Sequence, residues 1–161
     1  MAQDLETRIK ALEDAVQNLG DQDALRALRY RYHEYINDRN FAAIPDLFTE
    51  DGTVDFGYLG KGSGRTELEK FFTGVGKLLT FIKQFVHNHT IQVQGDHGTG
   101  LSYLEAKTVA NGESYVVAGR YDDEYVKQNG QWKFKSMNVI PYFTVPLREG
   151  WAQEDRLKMG R

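Results

Sequence analysis

Two histidines at alternate positions, His87 and His89, are the side chains of this sequence best suited to moving a proton near neutral pH. Histidine titrates in that range, whereas amides such as Gln84 and Asn88 cannot accept a proton there. On one face of a strand the two histidines could also hold a metal, but a metal needs a third ligand. The remaining candidate ligands follow no recognised metal spacing; they are His33, Glu34, Asp38, His97 and Glu105. We therefore expect no metal site and no cofactor.

Aromatic and polar residues elsewhere could line a pocket, although packing would explain many of them equally well. Aromatic side chains alternate along the C-terminal half, as both a core and a pocket for a ring-shaped ligand require: Tyr103, Tyr121, Tyr125, Trp132, Phe134, Tyr142 and Phe143. Tyr32 on a helix and Asn138 in an apolar strand are open to the same two interpretations. Arg120 and residues 122–124 most simply form a charged outer face.

Apolar periodicity predicts helices in the N-terminal half. The first stripe repeats at intervals of four and three residues: Leu5, Ile9, Leu12, Val16 and Leu19. Gly20 would end this helix, and its stripe would either pack on the body of the domain or form a subunit contact. Asp21 and Asp23 are both able to cap the helix that follows. The other helices are predicted at residues 21–37, 41–48 and 66–79.

The period changes to two after Thr80, which predicts strands. Turn signals at Gly95-Asp96, Asn111-Gly112 and Asn129-Gly130 divide this part into four long runs. The strands are predicted at residues 81–93, 99–109, 114–126 and 131–145. Consecutive antiparallel strands of this length must twist and curl. Helices followed by a curled sheet indicate an α+β fold.

Three shorter features complete the predicted elements. The turn at Glu50-Asp51-Gly52 precedes a short strand from Val54 to Tyr58. The glycine-rich loop at residues 60–64 lacks the Lys-Ser/Thr ending of a phosphate-binding loop, which argues against a nucleotide. Pro141 falls inside a strand-like run, so we expect a sheet edge or a bulge there.

Composition favours one ordinary globular domain spanning residues 1–161, with 40% hydrophobic and 27% charged residues. A net charge of -3 without a long basic block argues against nucleic acid as a partner. No stretch reaches the roughly 20 apolar residues of a membrane span. The sequence has no cysteine, which fits a reducing compartment. We therefore expect a soluble, cytoplasmic protein with no membrane partner.

Four segments carry a resemblance to a known family: Arg29-Tyr30-Arg31-Tyr32 through Phe41, the turn at Glu50-Asp51-Gly52, the strand pair at residues 119–134, and the tail at residues 138–147. Their order resembles the SnoaL-like family of the nuclear transport factor 2-like superfamily, which includes scytalone dehydratase, bile-acid dehydratase and hexachlorocyclohexane dehydrochlorinase. The resemblance implies a cone-shaped, curled antiparallel sheet wrapped around N-terminal helices. It also implies a pocket for a small, mostly apolar molecule.

The resemblance further implies a set of catalytic positions. Enzymes of this family use a tyrosine or lysine, an aspartate at the end of the second helix, and a histidine at the start of the long strands. The aspartate orients the histidine, which removes a proton from carbon. The match places Tyr32 on the tyrosine, but it places the neutral amides Asn37 and Gln84 on the two members of the acid-base pair.

A second register would keep this pair, because Asp38 adjoins Asn37 and the histidines follow Gln84 closely. One of His87 and His89 would then be the base, with His87 favoured because it lies closer to the family's histidine position; Asp38 would orient it, and Tyr32 would donate to the leaving or carbonyl oxygen. Side chains alternate along a strand, so Gln84 and the histidines cannot all face the pocket without a bulge. The residues expected to contact the substrate are Asn37, Gln84, Asn88, His89, Tyr103, Asn138 and Tyr142.

The leading functional hypothesis is a lyase that eliminates water or a comparable leaving group from a small cyclic, mostly apolar molecule. One alternative is a non-catalytic binding protein in which Asn37, Gln84 and Asn88 hydrogen-bond a neutral ligand. Another is an isomerase or cyclase acting in the same cavity. Because a long curled sheet has more surface than the helices can cover, we also expect a homo-oligomer, either a dimer or a trimer.

Overall fold

One long helix dominates the N-terminal half of the chain. The computed structural model describes residues 2–158, and in it helix α1 runs without a break over Ala2–Asn37. The predicted helix end at Gly20 is therefore wrong. Asp21 caps no new helix, because its carboxylate accepts hydrogen bonds from Trp132 Nε1 at 2.8 Å and Lys127 Nζ at 2.6 Å. These contacts hold the middle of α1 against the sheet, and they outweigh a glycine that costs about 1 kcal/mol in a helix.

Short helical turns and short strands follow α1. A 3₁₀ helix covers Phe41–Leu47, β1 covers Phe48–Asp55, a second 3₁₀ turn covers Gly57–Leu59, β2 covers Lys61–Ser63, and α2 covers Arg65–Leu78. Helix α2 lies within one residue of its prediction. Strand β1 begins earlier than the predicted Val54, and the glycine-rich loop supplies its antiparallel partner β2.

Four long strands follow, as the turn residues predicted. They are β3 at Leu79–Gln94, β4 at His97–Ala110, β5 at Glu113–Gln128 and β6 at Gln131–Pro146. Each strand pairs antiparallel with the next. Asn111, Gly112, Asn129 and Gly130 all have positive φ angles, as tight two-residue turns between twisted strands require.

The six strands form one open, curled sheet in the order β2-β1-β6-β5-β4-β3. Strands β1 and β6 are parallel, so the sheet is mixed rather than wholly antiparallel. The helices pack inside the curl, which confirms the predicted α+β cone. Strand β3 forms one edge of the sheet. Within residues 2–158, no helix is both long enough and apolar enough to cross a membrane.

Aromatic side chains fill the space between the helices and the concave face of the sheet. The Tyr32 ring of α1 lies edge-on to Phe72, Tyr121 and Phe134, with centroid distances of 6.3, 6.0 and 6.3 Å. All four rings are buried. Burying a large apolar side chain stabilises the fold by roughly 1.5–3 kcal/mol, so this cluster is a major part of the core.

Two bulges decide which side chains face the cone. In β3 the register shifts between His87 and His89, and Asn88 adopts a φ of 48°. Because of this extra residue, Gln84 and His89 share the concave face, while His87 lies on the outer face. In β6 the register shifts beside Pro141, which confirms the predicted bulge.

Candidate functional site

A small cavity lies between the helices and the concave face of the sheet. Its volume is about 40 Å³, which is space for a few water molecules. Most of the wall is apolar, with contributions from Ile36 of α1, Phe72 of α2 and Ile82 of β3. The polar side chains in the wall are Tyr32, Tyr58, Gln84, Thr108 and Tyr121. The cavity therefore suits an apolar molecule that carries few polar groups.

Two hydroxyl groups of this wall form no hydrogen bond of ordinary geometry with any residue from 2 to 158. Tyr32 Oη and Thr108 Oγ1 are both buried and unpaired. Burial raises the pKa of Tyr32 well above its ordinary value, so its hydroxyl is protonated and can donate. An unpaired buried hydroxyl costs about 1–3 kcal/mol, and a ligand oxygen or a water molecule placed here would remove that cost.

Gln84 connects the cavity to the end of α1. Its side-chain oxygen accepts a hydrogen bond from the Tyr121 hydroxyl at 3.2 Å. Its backbone is held by Asn37, whose Nδ2 donates to the Gln84 carbonyl at 3.0 Å and whose Oδ1 accepts from the Gln84 amide at 2.7 Å. Strand β3 is an edge strand, and at Gln84 these two hydrogen bonds take the place of those that a neighbouring strand would make. Both side chains are neutral amides, so they can orient a ligand but cannot take a proton near neutral pH.

A buried ion pair stands beside the cavity tyrosines. Arg29 Nη2 contacts Asp123 Oδ2, and both side chains are 0% exposed. The Tyr125 hydroxyl donates to the same carboxylate at 2.8 Å and also lies 3.2 Å from His89 Nε2. Burial would lower the pKa of Arg29, but Asp123 and two tyrosines hold it above its ordinary value, so the guanidinium is charged. Its Cζ lies 4.1 Å from the centre of the Tyr121 ring.

Two histidines of this region are kept neutral by their surroundings. His33 Nδ1 lies 3.0 Å from the Arg29 carbonyl, which can only accept, so Nδ1 carries the proton. The buried Nε2 has no partner among the residues that the structure describes. Burial and the Arg29 charge lower the pKa of His33 to about 3. Burial, followed by Arg29 and Arg26, lowers the pKa of His89 to about 4. Among residues 2–158, no cluster of three or more potential ligands could hold a metal ion.

The structure does not bring together Asp38 and His87, which the second register paired. Asp38 is exposed just beyond the end of α1, and no hydrogen bond or ion pair joins the two side chains within the described chain. His87 is 55% exposed on the outer face, where its Nε2 lies 3.5 Å from Glu105. Strand alternation is the physical reason, because His87 lies three residues after Gln84 and before the bulge at Asn88, and so faces the opposite side of β3.

The other predicted contact residues divide between the two faces. Tyr32 and Gln84 line the cavity, and Asn37 holds Gln84. His89 lies on the concave face against Tyr125, outside the cavity wall. Four residues predicted to contact the substrate lie elsewhere, since strand alternation or the bulge turns them away: Asn88, Tyr103, Asn138 and Tyr142. Tyr103 and Tyr142 share an outer groove with His87.

Sequence analysis missed the buried polar residues Arg29 and Asp123, and it placed Asp123 on a charged outer face. The alternation of β5 could have indicated that Asp123 is buried, because Asp123 shares its face with Tyr121 and Tyr125. Asp122 and Arg120 lie on the other face, where they form an ion pair at 3.0 Å. Arg29 likewise lies one helical turn before Tyr32 and His33.

Comparisons with known proteins agree with this architecture. The SnoaL-like domain matches residues 17–138. A candidate scytalone dehydratase from Novosphingobium aromaticivorans superposes with a TM-score of 0.75 at 23% identity, covering 91% of this chain and 98% of that one. Comparison with curated protein sequences found no significant match.

Two dehydrochlorinase structures are also similar. A type 2 hexachlorocyclohexane dehydrochlorinase superposes with a TM-score of 0.77 at 18% identity, covering 83% of this chain and 93% of that one. The type 3 enzyme from Novosphingobium barchaimii gives a TM-score of 0.75 at 18% identity, covering 83% and 94%. At these identities the likeness establishes a shared fold.

Proposed function

The chain belongs to the SnoaL-like domain family, and from that premise we propose that its cavity binds a small, neutral, mostly apolar molecule without transforming it. One observation carries this proposal. Asn37 and Gln84 meet at the end of α1, where the family resemblance implied an aspartate and a histidine, and both are neutral amides. The place expected for a proton-transfer pair thus holds a hydrogen-bonding pair.

The polar part of the ligand would be a single carbonyl or hydroxyl oxygen. The Tyr32 hydroxyl is buried, protonated and unpaired, so it would donate to that oxygen. Gln84 already accepts from Tyr121, which leaves its amide NH₂ as a further donor. The rest of the ligand would lie against apolar side chains. This donor-rich, uncharged wall favours a neutral molecule over an anion or a cation.

Ring-sized ligands need more space than a cavity of about 40 Å³ offers. The 3₁₀ turn at Gly57–Leu59 covers part of it, since Tyr58 and Leu59 belong to the wall. The Tyr58 hydroxyl and Thr144 Oγ1 lie 2.5 Å apart and fasten this turn to the end of β6. The turn begins at Gly57 and is followed by Gly60, and both glycines have positive φ angles that few other residues adopt. Outward movement of this turn would enlarge the cavity for a small cyclic molecule.

Lyase-type elimination is the second candidate, favoured by the dehydratase and dehydrochlorinase among the structural relatives. Elimination needs a base that takes a proton from carbon while the leaving group departs. Within the described residues, the cavity wall holds no histidine, aspartate or glutamate. The imidazole in ring contact with Tyr32 and Tyr121 is that of His33, whose pKa of about 3 makes it a weak base.

A ligand screen distinguishes the two candidates. Cyclic alcohols, ketones and halides would be tested for binding by calorimetry and for turnover by product analysis. We expect binding without turnover, and a loss of affinity of roughly 2- to 13-fold in Tyr32→Phe and in Gln84→Leu, because each removes one neutral hydrogen bond. Tyr103→Phe, on the outer face, is the matched control and should bind like the wild type.

Turnover would contradict the binding proposal and support a lyase. The variant His33→Gln would then lose activity by a factor on the order of 100 to 10,000, as removal of a general base does. The variant His87→Gln should match the wild type in affinity and, if there is turnover, in rate, because His87 faces the outer surface.

A further inference from the structure

The first half of α1 leaves its apolar side chains exposed. Every residue from 4 to 17 is exposed, whereas the core contacts of α1 begin further along, at Asp21 and Leu25. We call residues 4–19 the arm. A helix of this length that buries no apolar face is marginal in water, because propensity alone barely offsets the cost of ordering it. The arm is therefore a segment that a partner would stabilise.

The arm presents one continuous apolar stripe. Its members are between 48% and 68% exposed: Leu5, Ile9, Leu12, Val16 and Leu19. Their spacing of four, three, four and three residues is the heptad pattern of a coiled coil. At Asp23 and Arg26 the next two heptad positions are charged, so the stripe ends where α1 joins the body. The pattern thus belongs to the arm alone and differs from the core-facing stripe that follows.

We propose that the arm pairs with the arm of a second copy of this chain as a parallel, two-stranded coiled coil. The residue types at the seam select this geometry. Ile9 and Val16 are β-branched and occupy the a positions, while leucines occupy all three d positions. β-branched side chains at a with leucine at d favour parallel dimers over trimers and tetramers.

Charges beside the seam favour the same partner. Arg8 occupies a g position and Glu13 the following e position, which face each other across a parallel coiled coil. A twofold axis generates this attraction twice. Within the described chain neither residue forms an ion pair, whereas Lys10 and Asp14 on the opposite side of the helix pair with each other at 2.6 Å. Arg8 and Glu13 are thus available to the second copy.

Light scattering during size-exclusion chromatography tests the pairing. The wild type should elute with twice the mass of the 18.4 kDa chain. Leu12→Asp should elute with half the wild-type mass, while the neighbouring Ala11→Asp, which lies outside the seam, should remain a dimer. Arg8→Glu should weaken the dimer, and Arg8→Glu combined with Glu13→Arg should restore it. Thermal unfolding of each variant confirms that the body remains folded.

Disulfide trapping tests the parallel orientation. The natural sequence has no cysteine, so Leu5→Cys introduces a single thiol at the seam. Oxidation should link two copies through this position in a parallel pair, but should leave Asp14→Cys unlinked. A monomeric wild type, an assembly larger than a dimer, or a dimer that persists in Leu12→Asp would overturn the proposal. So would a Leu5→Cys dimer that fails to cross-link.

Discussion

Asn37 holds Gln84 by its backbone rather than by its side chain, with one hydrogen bond of 3.0 Å to the carbonyl and one of 2.7 Å from the amide. This arrangement leaves the Gln84 side chain free to face Tyr121 in the cavity. It also covers the open edge of the sheet at β3, where no further strand supplies partners. The last residue of α1 thus positions a polar group of the site and pairs the edge-strand backbone at Gln84.

Replacing Asn37 by alanine should destabilise the protein by about 1–3 kcal/mol, because two backbone groups of Gln84 lose their partners. Urea unfolding measures the change. Asp38→Ala is the control, since Asp38 is exposed, and should stay within about 0.5 kcal/mol of the wild type. Equal effects of the two substitutions would show that the hydrogen bonds to Gln84 contribute little.

Two cavity tyrosines should respond in opposite directions to loss of the hydroxyl. Tyr32→Phe removes an unpaired buried hydroxyl and should raise the free energy of unfolding by up to about 1 kcal/mol. Tyr121→Phe removes the donor to Gln84 and should lower it by about 1 kcal/mol. Thermal and urea unfolding of the two variants without ligand provide the comparison. Destabilisation by Tyr32→Phe would mean that its hydroxyl is already satisfied.

The Arg29–Asp123 pair should be among the most sensitive positions in the chain. Asp123→Asn leaves a buried guanidinium without its counter-charge and should cost about 3–5 kcal/mol of unfolding free energy. Asp122→Asn changes the neighbouring carboxylate, which pairs with Arg120 on the outer face, and should cost less than about 1 kcal/mol. Similar losses in the two variants would contradict the burial of Asp123.

Acid should destabilise the protein through His33. Its folded-state pKa of about 3 lies below the ordinary value of 6.5. Between these values the unfolded chain binds a proton that the folded chain does not, so stability falls as the pH falls from about 6.5 toward 3. The slope from one such group reaches about 1.4 kcal/mol per pH unit. Above that window His33 is neutral in both states and adds no pH dependence.

Urea unfolding at several pH values between 4 and 7 measures this slope. His33→Gln should reduce the slope of unfolding free energy against pH by the contribution of one histidine. His87→Gln removes an imidazole from the outer face and should keep the wild-type profile. An unchanged slope in His33→Gln would show that His33 is not the group responsible.

Much of the sheet could be predicted because its boundaries depend on local chemistry. Asn111-Gly112 and Asn129-Gly130 adopt the positive φ angles that tight hairpins need, and few other residue pairs do so readily. Alternation also assigns the faces of β5 and places Asp123 on the inner face. The prediction of an outer face for Asp123 relied on its charge instead of on this alternation. The four long strands accordingly appear where the turns predicted them.

The missed features depend on contacts between residues distant in sequence. Whether α1 continues past Gly20 is decided by Asp21 bonding Trp132 and Lys127, which lie more than a hundred positions away. The bulge at Asn88 has no clear sequence signature, since asparagine tolerates a positive φ but does not require it. That single residue turns His89, but not His87, to the same face as Gln84, so the face of His89 could not be assigned from alternation alone.

The hydrogen bond between Tyr58 and Thr144 has a consequence for the rates of binding. Tyr58 and Leu59 of the 3₁₀ turn at Gly57–Leu59 belong to the cavity wall, so a ligand too large for the present cavity would reach Tyr32 only after that turn moves outward. In rapid-mixing experiments the observed rate would rise with ligand concentration and then level off at the opening rate. Dissociation would be limited by the same step. Long residence of a weakly polar ligand would then arise from gating, and weakening the Tyr58 bond would shorten it.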